Sequence, residues 1–421
     1  MQRQLHDLKN AEANGGDGEE GGEDSDLQDI MGKNRLIMVS NRLPLKRVVD
    51  KDQKISYEMS PGGLVTALKG VRDDLDFVWV GWLGCETPAE EQESVRDELL
   101  KKHNCLPVFL SEDLVNKYYN GFSNDVLWPL FHYVPLPMYK PNSERKFDMQ
   151  LWKAYQDANR KFSEAVMSIC KPTDLIWVHD YHLMRLPADL RNRMPNIRVA
   201  WFLHTPFPSS EIYRILPVRR ELLEGLLKAD LVGFHTYDYA SHFLESCARV
   251  LDEKKMESSP KGVHYKDHYC AVGVFPIGVD PDHIEMICKG RGVVQRVREL
   301  VETFKGRKII LGVDRVDYIK GMPHKLLGLE LFLARHPEYH GKVTLIQVGV
   351  PTRTDVDEYK QLSQQVNELV GRINGTYGTL EYSPIHYINQ SVSPTELYAI
   401  YHIADVCLVT SLRDGKNLVS H

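Results

Sequence analysis

The sequence predicts an α/β protein of two successive doubly wound domains, and three observations carry that prediction. Short apolar runs alternate with stretches of helical periodicity through most of the 421 residues. That is the pattern of a parallel sheet with helices on both faces. The runs end in polar or glycine-containing turns, where open α/β sheets bind ligands. Around Val272-Gly273-Val274-Phe275-Pro276-Ile277-Gly278 the strand–helix series starts afresh. A boundary near 275–285 is therefore expected, giving domains at 34–278 and 279–421.

Composition narrows the function classes. Hydrophobic residues make up 43% of the chain, enough for full cores, and the net charge is −6. That balance offers no basic surface to nucleic acid or to an anionic membrane. Seven scattered cysteines without a CxxC fit reduced thiols, so a cytoplasmic location is expected. No apolar run approaches the ~18 residues of a membrane span, and the amino terminus has no signal core.

Residues 1–33 read as a disordered tail. Between Glu12 and Asp29 lie eight acidic residues and no basic one, and such a segment cannot bury enough apolar surface to offset its ordering entropy. Leu36 to Ser40 is the first predicted strand, with Asn41-Arg42 at its carboxyl end. A polar linker leads to Ser60-Pro61-Gly62-Gly63, where the glycine pair lets backbone approach a ligand. The helix expected after it would offer N–H groups to an anion. Phe77 to Trp82 is the next clear strand, and Val108 to Leu110 a shorter one. From Tyr118 to Tyr133 aromatics mix with Asn, Ser, Gly and Pro. Core packing and a sugar-contacting loop are both open to that stretch, and its interruptions favour a loop over a helix.

Apolar residues at helical spacing (Leu151, Tyr155, Ala158, Phe162, Val166) predict a helix over 147–170. Asp174 to Val178 then forms a strand that runs into His179-Asp180-Tyr181-His182. Val199 to Leu203 forms another, running into His204-Thr205-Pro206. A metal between His179 and His182 is disfavoured, because a strand alternates faces and no further ligand lies nearby. Residues 210–251 read as helices around one strand at 231–235.

The second series opens with Lys308 to Gly321, KIILGVDRVDYIKG. Its apolar start suits a buried parallel strand. The loop that follows holds Arg315 and Lys320, a planar fork and a point charge that together suit a diphosphate. Further elements are expected at 323–335, 343–348, 355–373, 385–388, 394–402 and 406–409. No GxxxxGK[ST] occurs and no Asp-x-Asp sits at a strand end. Donor phosphates are then expected to be neutralised by side chains, with no metal or other cofactor. GxSxG is absent too, which argues against acyl transfer. Only four strands of the second sheet precede His421, so that domain is expected to be incomplete: either the chain is cut, or another chain covers the exposed edge.

Eight segments, SNRLP (40–44), SPGGL (60–64), YYNGFSNDVLWPLFHY (118–133), WVHDYHL (177–183), FLHTPFPSSEIYR (202–214), GVDRVDYIKG (312–321), VPTR (350–353) and SLRDGKNLVS (411–420), together resemble the trehalose-6-phosphate synthase family. The resemblance runs from about residue 35 to the end. It implies two Rossmann-like domains facing across a cleft (GT-B) and a retaining glycosyltransferase. Glucose would pass from UDP-glucose to glucose 6-phosphate, giving α,α-trehalose 6-phosphate and UDP. Arg42, Tyr119, Trp128 and Arg353 match the family's holders of the acceptor phosphate and sugar, and Trp82 and Asp180 are assigned to the same site. Gly62 and Gly63 match a loop closing near the donor. Asp180 and His204 match groups that contact the reacting sugars. Arg315 and Lys320 match the pair on the diphosphate, and Asp414, Gly415, Asn417, Leu418 and Val419 match the loop gripping donor glucose and phosphates. Asp180, His204, Arg315 and Lys320 are the expected catalytic group. The expected assembly is a homo-oligomer or a complex with a trehalose-phosphate phosphatase.

Two departures stand out. Lys416 replaces the family's methionine, and the family's ribose-gripping glutamate would fall at position 422, one past His421. The competing expectation is a weakly active or inactive paralogue acting as a regulatory subunit. A neutral acceptor is disfavoured, because it would need no second phosphate clamp of the Arg42 and Arg353 kind.

Overall fold

A computed structural model describes residues 35–49, 55–59, 77–134, 147–251, 256–353 and 356–420. The chain separates into two compact units between Ile277 and Gly278. The acidic tail and the Gly62-Gly63 segment lie outside the described residues.

The first unit is built on a nine-stranded sheet of order β5-β4-β1-β6-β7-β8-β11-β10-β9. Its strands are β1 (Leu36–Arg42), β4 (Phe77–Trp82), β5 (Cys105–Val108), β6 (Leu175–His179), β7 (Arg198–Phe202), β8 (Leu231–Phe234), β9 (Met256–Ser259), β10 (Gly262–Tyr265) and β11 (His268–Val274). From β5 to β11 neighbours pair in parallel, and β10 and β9 add an antiparallel ribbon. Six of the seven β1 residues are buried, as a strand covered on both faces requires. The helix Met149–Met167 starts on Asp148, whose side chain accepts from the Gln150 N–H, and it buries Trp152, Tyr155, Ala158, Phe162 and Val166 along one stripe.

Three expectations fail here. The short strand expected at Val108 to Leu110 lies at Cys105–Val108. The polar linker after Arg42 contains a small antiparallel hairpin, β2 (Leu45–Val49) with β3 (Ile55–Met59). The segment 118–133, expected as a loop, is helical. Glu112–Val115 starts as α-helix, Asn116–Leu127 widens to a π-helix, and Trp128–Phe131 closes as α-helix. The interruptions that argued for a loop fit this geometry. A Cβ on Gly121 would lie 2.8 Å from Leu151 Cδ2, so glycine lets the helices Asn116–Leu127 and Met149–Met167 meet. Pro129 stands in the first turn of Trp128–Phe131, where its missing N–H is tolerated. Wide π turns recur at functional sites.

The second unit carries a parallel sheet of order β14-β13-β12-β15, with β12 (Lys308–Arg315), β13 (Val343–Val350), β14 (Ile385–Ile388) and β15 (Val406–Cys407). β12 and β13 pair in register from Lys308↔Val343 to Arg315↔Val350. Where the helix Met322–Arg335 packs on this sheet, Lys325 Nζ meets Asp314 Oδ2 at 2.6 Å, with side chains 0% and 3% exposed. Gln347 Nε2 donates to the same carboxylate at 3.1 Å. Gly312 makes room for the group, since a Cβ there would lie 2.2 Å from Gln347 Oε1. At the β14 edge the Asn374 side chain takes both backbone groups of Ile385. It donates to the carbonyl and accepts from the N–H, each at 2.9 Å. At the opposite edge Val406, Val409 and Leu412 are exposed.

Candidate functional site

In the first unit the strand ends converge on Asp180. This residue follows β6 and holds φ at 74°, a conformation costly for a non-glycine residue. Its surroundings over-determine it. The N–H donates to the Phe202 carbonyl at 2.7 Å, and the carbonyl accepts from Leu183 N–H and from the Trp201 indole, both at 3.2 Å. Oδ1 accepts from the His204 N–H at 3.3 Å, and Oδ2 lies 4.0 Å from His182 Nδ1. Beneath the turn, Tyr155 donates to the Tyr181 carbonyl at 2.7 Å and accepts from the Met184 N–H at 2.9 Å. Strain sustained by its neighbours is a mark of functional positions.

Beside Asp180 runs a row of histidines from β6, β7 and β8. His179 Nδ1 lies 3.0 Å from His204 Nε2, and the His204 and His235 rings are 5.6 Å apart. Burial pulls His179 down to about 3. Burial also holds His204 well below the usual histidine value, with His179 and His235 adding to the effect. Both rings are therefore neutral near pH 7. They can hydrogen-bond a hydroxyl, but they carry no charge toward a phosphate.

A second row combines rings with one cation. Arg42, exposed at the end of β1, places its guanidinium 5.2 Å from the Trp82 ring centre. Gly84, with φ at 91°, leaves the space it occupies, since a Cβ there would meet the guanidinium. Trp82 lies 6.1 Å from Tyr119, which stacks on His182 at 5.7 Å and 17°. The row continues through Tyr181 to Trp128 at 5.8 Å, and Trp128 packs on His132 at 4.0 Å. The buried Trp82 indole N–H has no hydrogen-bond partner among the described residues. Aromatic faces with an arginine at one end suit a sugar carrying an anionic group.

In the second unit the loop after β12 is tied down at every turn. Asp317 accepts from the Ile319 N–H at 3.2 Å, and Leu412 N–H donates to the Ile319 carbonyl at 2.7 Å. Thr410 Oγ1 donates to the carbonyls of Lys320 and Gly321 at 3.1 and 3.2 Å. Arg315 is exposed at the strand end. Lys320 forms an ion pair with Asp414. Arg353 has φ at 49°, and its guanidinium is 3.4 Å from Asp317 Oδ2, hydrogen-bonds the Tyr359 hydroxyl and lies over that ring. Its side chain is only 6% exposed. Asn417 accepts from the Val419 N–H at 3.0 Å and donates to Ser411 Oγ at 3.3 Å. Gly415 is buried, and Leu418 and Val419 lie in the short turn Leu418–Ser420.

The structure thus gathers Arg42, Trp82, Tyr119, Trp128, Asp180 and His204 in the first unit, and Arg315, Lys320, Arg353, Asp414 and Asn417 in the second. Gly62 and Gly63 lie outside the described residues. Sequence reasoning weighed His179 and His182 only as metal ligands, disfavoured that role and gave them no other. It also missed Asp317 and Tyr359, which hold Arg353. Among the described residues no cluster of three or more His, Cys, Asp and Glu is placed to hold a metal ion.

The family model described as glycosyltransferase family 20 matches residues 34–421. A Dictyostelium discoideum protein named alpha,alpha-trehalose-phosphate synthase (UDP-forming) A is 50% identical over 398 residues, which is 94% of this chain and 53% of that protein. The chain therefore spans about half the length of that relative. An E. coli structure described as trehalose-6-phosphate bound with UDP-2-fluoro glucose superposes with a TM-score of 0.78 at 33% identity, covering 92% of this chain and 80% of that one. The N-terminal domain of Candida albicans trehalose-6-phosphate phosphatase gives a TM-score of 0.79 at 32% identity, with 92% and 80% covered.

Proposed function

The chain belongs to glycosyltransferase family 20, and from that premise we propose that it transfers glucose from UDP-glucose to glucose 6-phosphate. The products are α,α-trehalose 6-phosphate and UDP, and the anomeric configuration is retained. The observation that carries the reading is the tied loop after β12. It presents Arg315 and Lys320 at a strand end, with Asp414 as the ionic partner of Lys320. The leaving diphosphate gains charge as the glycosidic bond breaks. Cations fixed in advance stabilise that charge more than the ground state, and they need no reorganisation.

In the same reading Arg42 takes the acceptor phosphate, and Trp82, Tyr119 and Trp128 offer ring faces to its sugar. Asp180 and the neutral His204 accept and donate hydrogen bonds at the reacting sugars. The acceptor proton passes to the leaving phosphate oxygen on the same face, so no carboxylate nucleophile is required. Arg353 serves the acceptor phosphate by leaving Asp317, an exchange of one anion for another. A uridine donor is favoured by the ligand named for the E. coli neighbour. No disulfide joins the seven cysteines, which suits the reducing cytosol. No helix among the described residues is long and apolar enough to cross a membrane.

A second reading has one observation in its favour. The Candida neighbour carries this fold as the N-terminal domain of a protein named for a phosphatase. The chain would then be a binding or regulatory partner in a trehalose-phosphate complex. Measuring UDP release with both substrates separates the two. Turnover that needs glucose 6-phosphate supports the transferase. Binding of glucose 6-phosphate without UDP release supports the regulatory partner.

A further inference from the structure

We propose that His179 is a positioning residue for the transfer: its Nδ1–H donates to His204 Nε2, which fixes the His204 imidazole as its Nδ1–H tautomer and makes that N–H the donor offered to a sugar hydroxyl. The inference rests on the reading above, in which His204 meets a reacting sugar.

The two nitrogens are 3.0 Å apart, and each ring brings one proton or none to the contact. Two assignments are open. If His204 donated, His179 would carry its proton on Nε2. That atom is buried in a residue only 1% exposed, and it has no hydrogen-bond partner among the described residues. A buried N–H without an acceptor is rarer and costlier than a buried lone pair without a donor. If His179 donates, Nε2 keeps only a lone pair and the cost is avoided. Burial keeps both rings neutral, so a doubly protonated bridge does not arise. His235, the other imidazole beside His204, cannot take over the role through Nδ1, which already accepts from the Ile277 N–H at 3.4 Å. The His204 backbone is fixed as well, by its N–H to Asp180 Oδ1. One ring nitrogen of His204 is therefore spoken for, and the other has its protonation dictated by a neighbour that need not touch substrate. Such second-tier hydrogen bonds set which histidine nitrogen is available.

The test uses the full chain with ¹⁵N-labelled histidine, and a His204→Gln variant identifies the His204 signals in long-range proton–nitrogen spectra. At pH 7 His204 is expected to carry its proton on Nδ1, with Nε2 bare. In His179→Leu that preference is lost, and kcat falls on the order of tenfold while the KM for UDP-glucose changes little. In His179→Asn the side-chain amide restores a donor near the Nδ1 position, and most of kcat returns. Protonation of wild-type His204 on Nε2 overturns the proposal. So does a folded His179→Leu chain with undiminished kcat, or an Asn variant as slow as Leu. A wild-type chain with the expected spectrum but no transfer removes the positioning role together with the functional reading, while the tautomer assignment stands on the spectrum alone.

Discussion

At the end of β6 the functional residues are held by neutral contacts: backbone hydrogen bonds around Asp180, uncharged imidazoles at His179 and His204, and rings from Trp82 to Trp128. At the end of β12 they are held by charge: Lys320 on Asp414, Arg353 on Asp317, and Lys325 on Asp314 beneath. Both sets stand at the carboxyl ends of parallel strands, yet the means differ. Neutral contacts fix direction, and in the proposed transfer that serves a sugar with many hydroxyls. Ion pairs keep cations compensated, and in the proposed transfer a phosphate would take the place of a resident carboxylate. The pairing also spares each cation the cost of standing desolvated and alone.

The sharpest way to break this contrast is Lys325→Met. Asp314 would be left buried without its cation, and the second unit should lose about 3–5 kcal/mol, read by urea denaturation. Adding Asp314→Leu should recover much of the loss; a single variant as stable as wild type would show that charge does not hold this region. Next comes Lys320→Ala, expected to lower kcat/KM for UDP-glucose about 10²–10³-fold with little effect on the melt. A loss confined to the KM for glucose 6-phosphate would move Lys320 to the acceptor.

Acid tests the neutral side. His179 sits at about 3 when folded and near the ordinary histidine value of about 6.5 when unfolded, so the unfolded chain binds the extra proton between those values. Stability of the first unit is therefore full above pH 6.5 and declines as pH falls toward 3, by about 1.4 kcal/mol per pH unit for this residue alone. Urea melts followed by near-ultraviolet dichroism would show it; a flat profile between pH 6.5 and 5 would mean that the folded ring accepts a proton. The smallest effect is expected from Trp82→Phe, which keeps a ring and removes the unpartnered indole N–H. The KM for glucose 6-phosphate should rise about threefold to tenfold, and kcat should hold.

Much of this was legible because short-range pattern decides it. The run Ile309-Ile310-Leu311 ending in Gly312 is a buried strand whatever its neighbours do, and Arg315 and Lys320 follow at its carboxyl end. The helix Pro394–Ile403 lies where the sequence places an element, at 394–402. What stayed hidden depends on distant partners. Asn116–Leu127 winds as a π-helix around glycine and asparagine, residues that locally signal a turn. β9 is polar and exposed and β10 only four residues long, so their ribbon gains its meaning only by extending β11. The pairing of His179 with His204 spans 25 residues and follows from the register of β6 on β7. No spacing rule contains it.

The amide of Asn374 has a consequence for the molecule in a crowded solution. An outermost strand invites a foreign strand to zip along it, and the first rung of such a zipper on β14 would be Ile385. Asn374 already fills that rung with a side-chain imitation of a peptide group. Copies of the chain meeting along this margin find the donor and acceptor of Ile385 taken, so strand pairing cannot start at that rung.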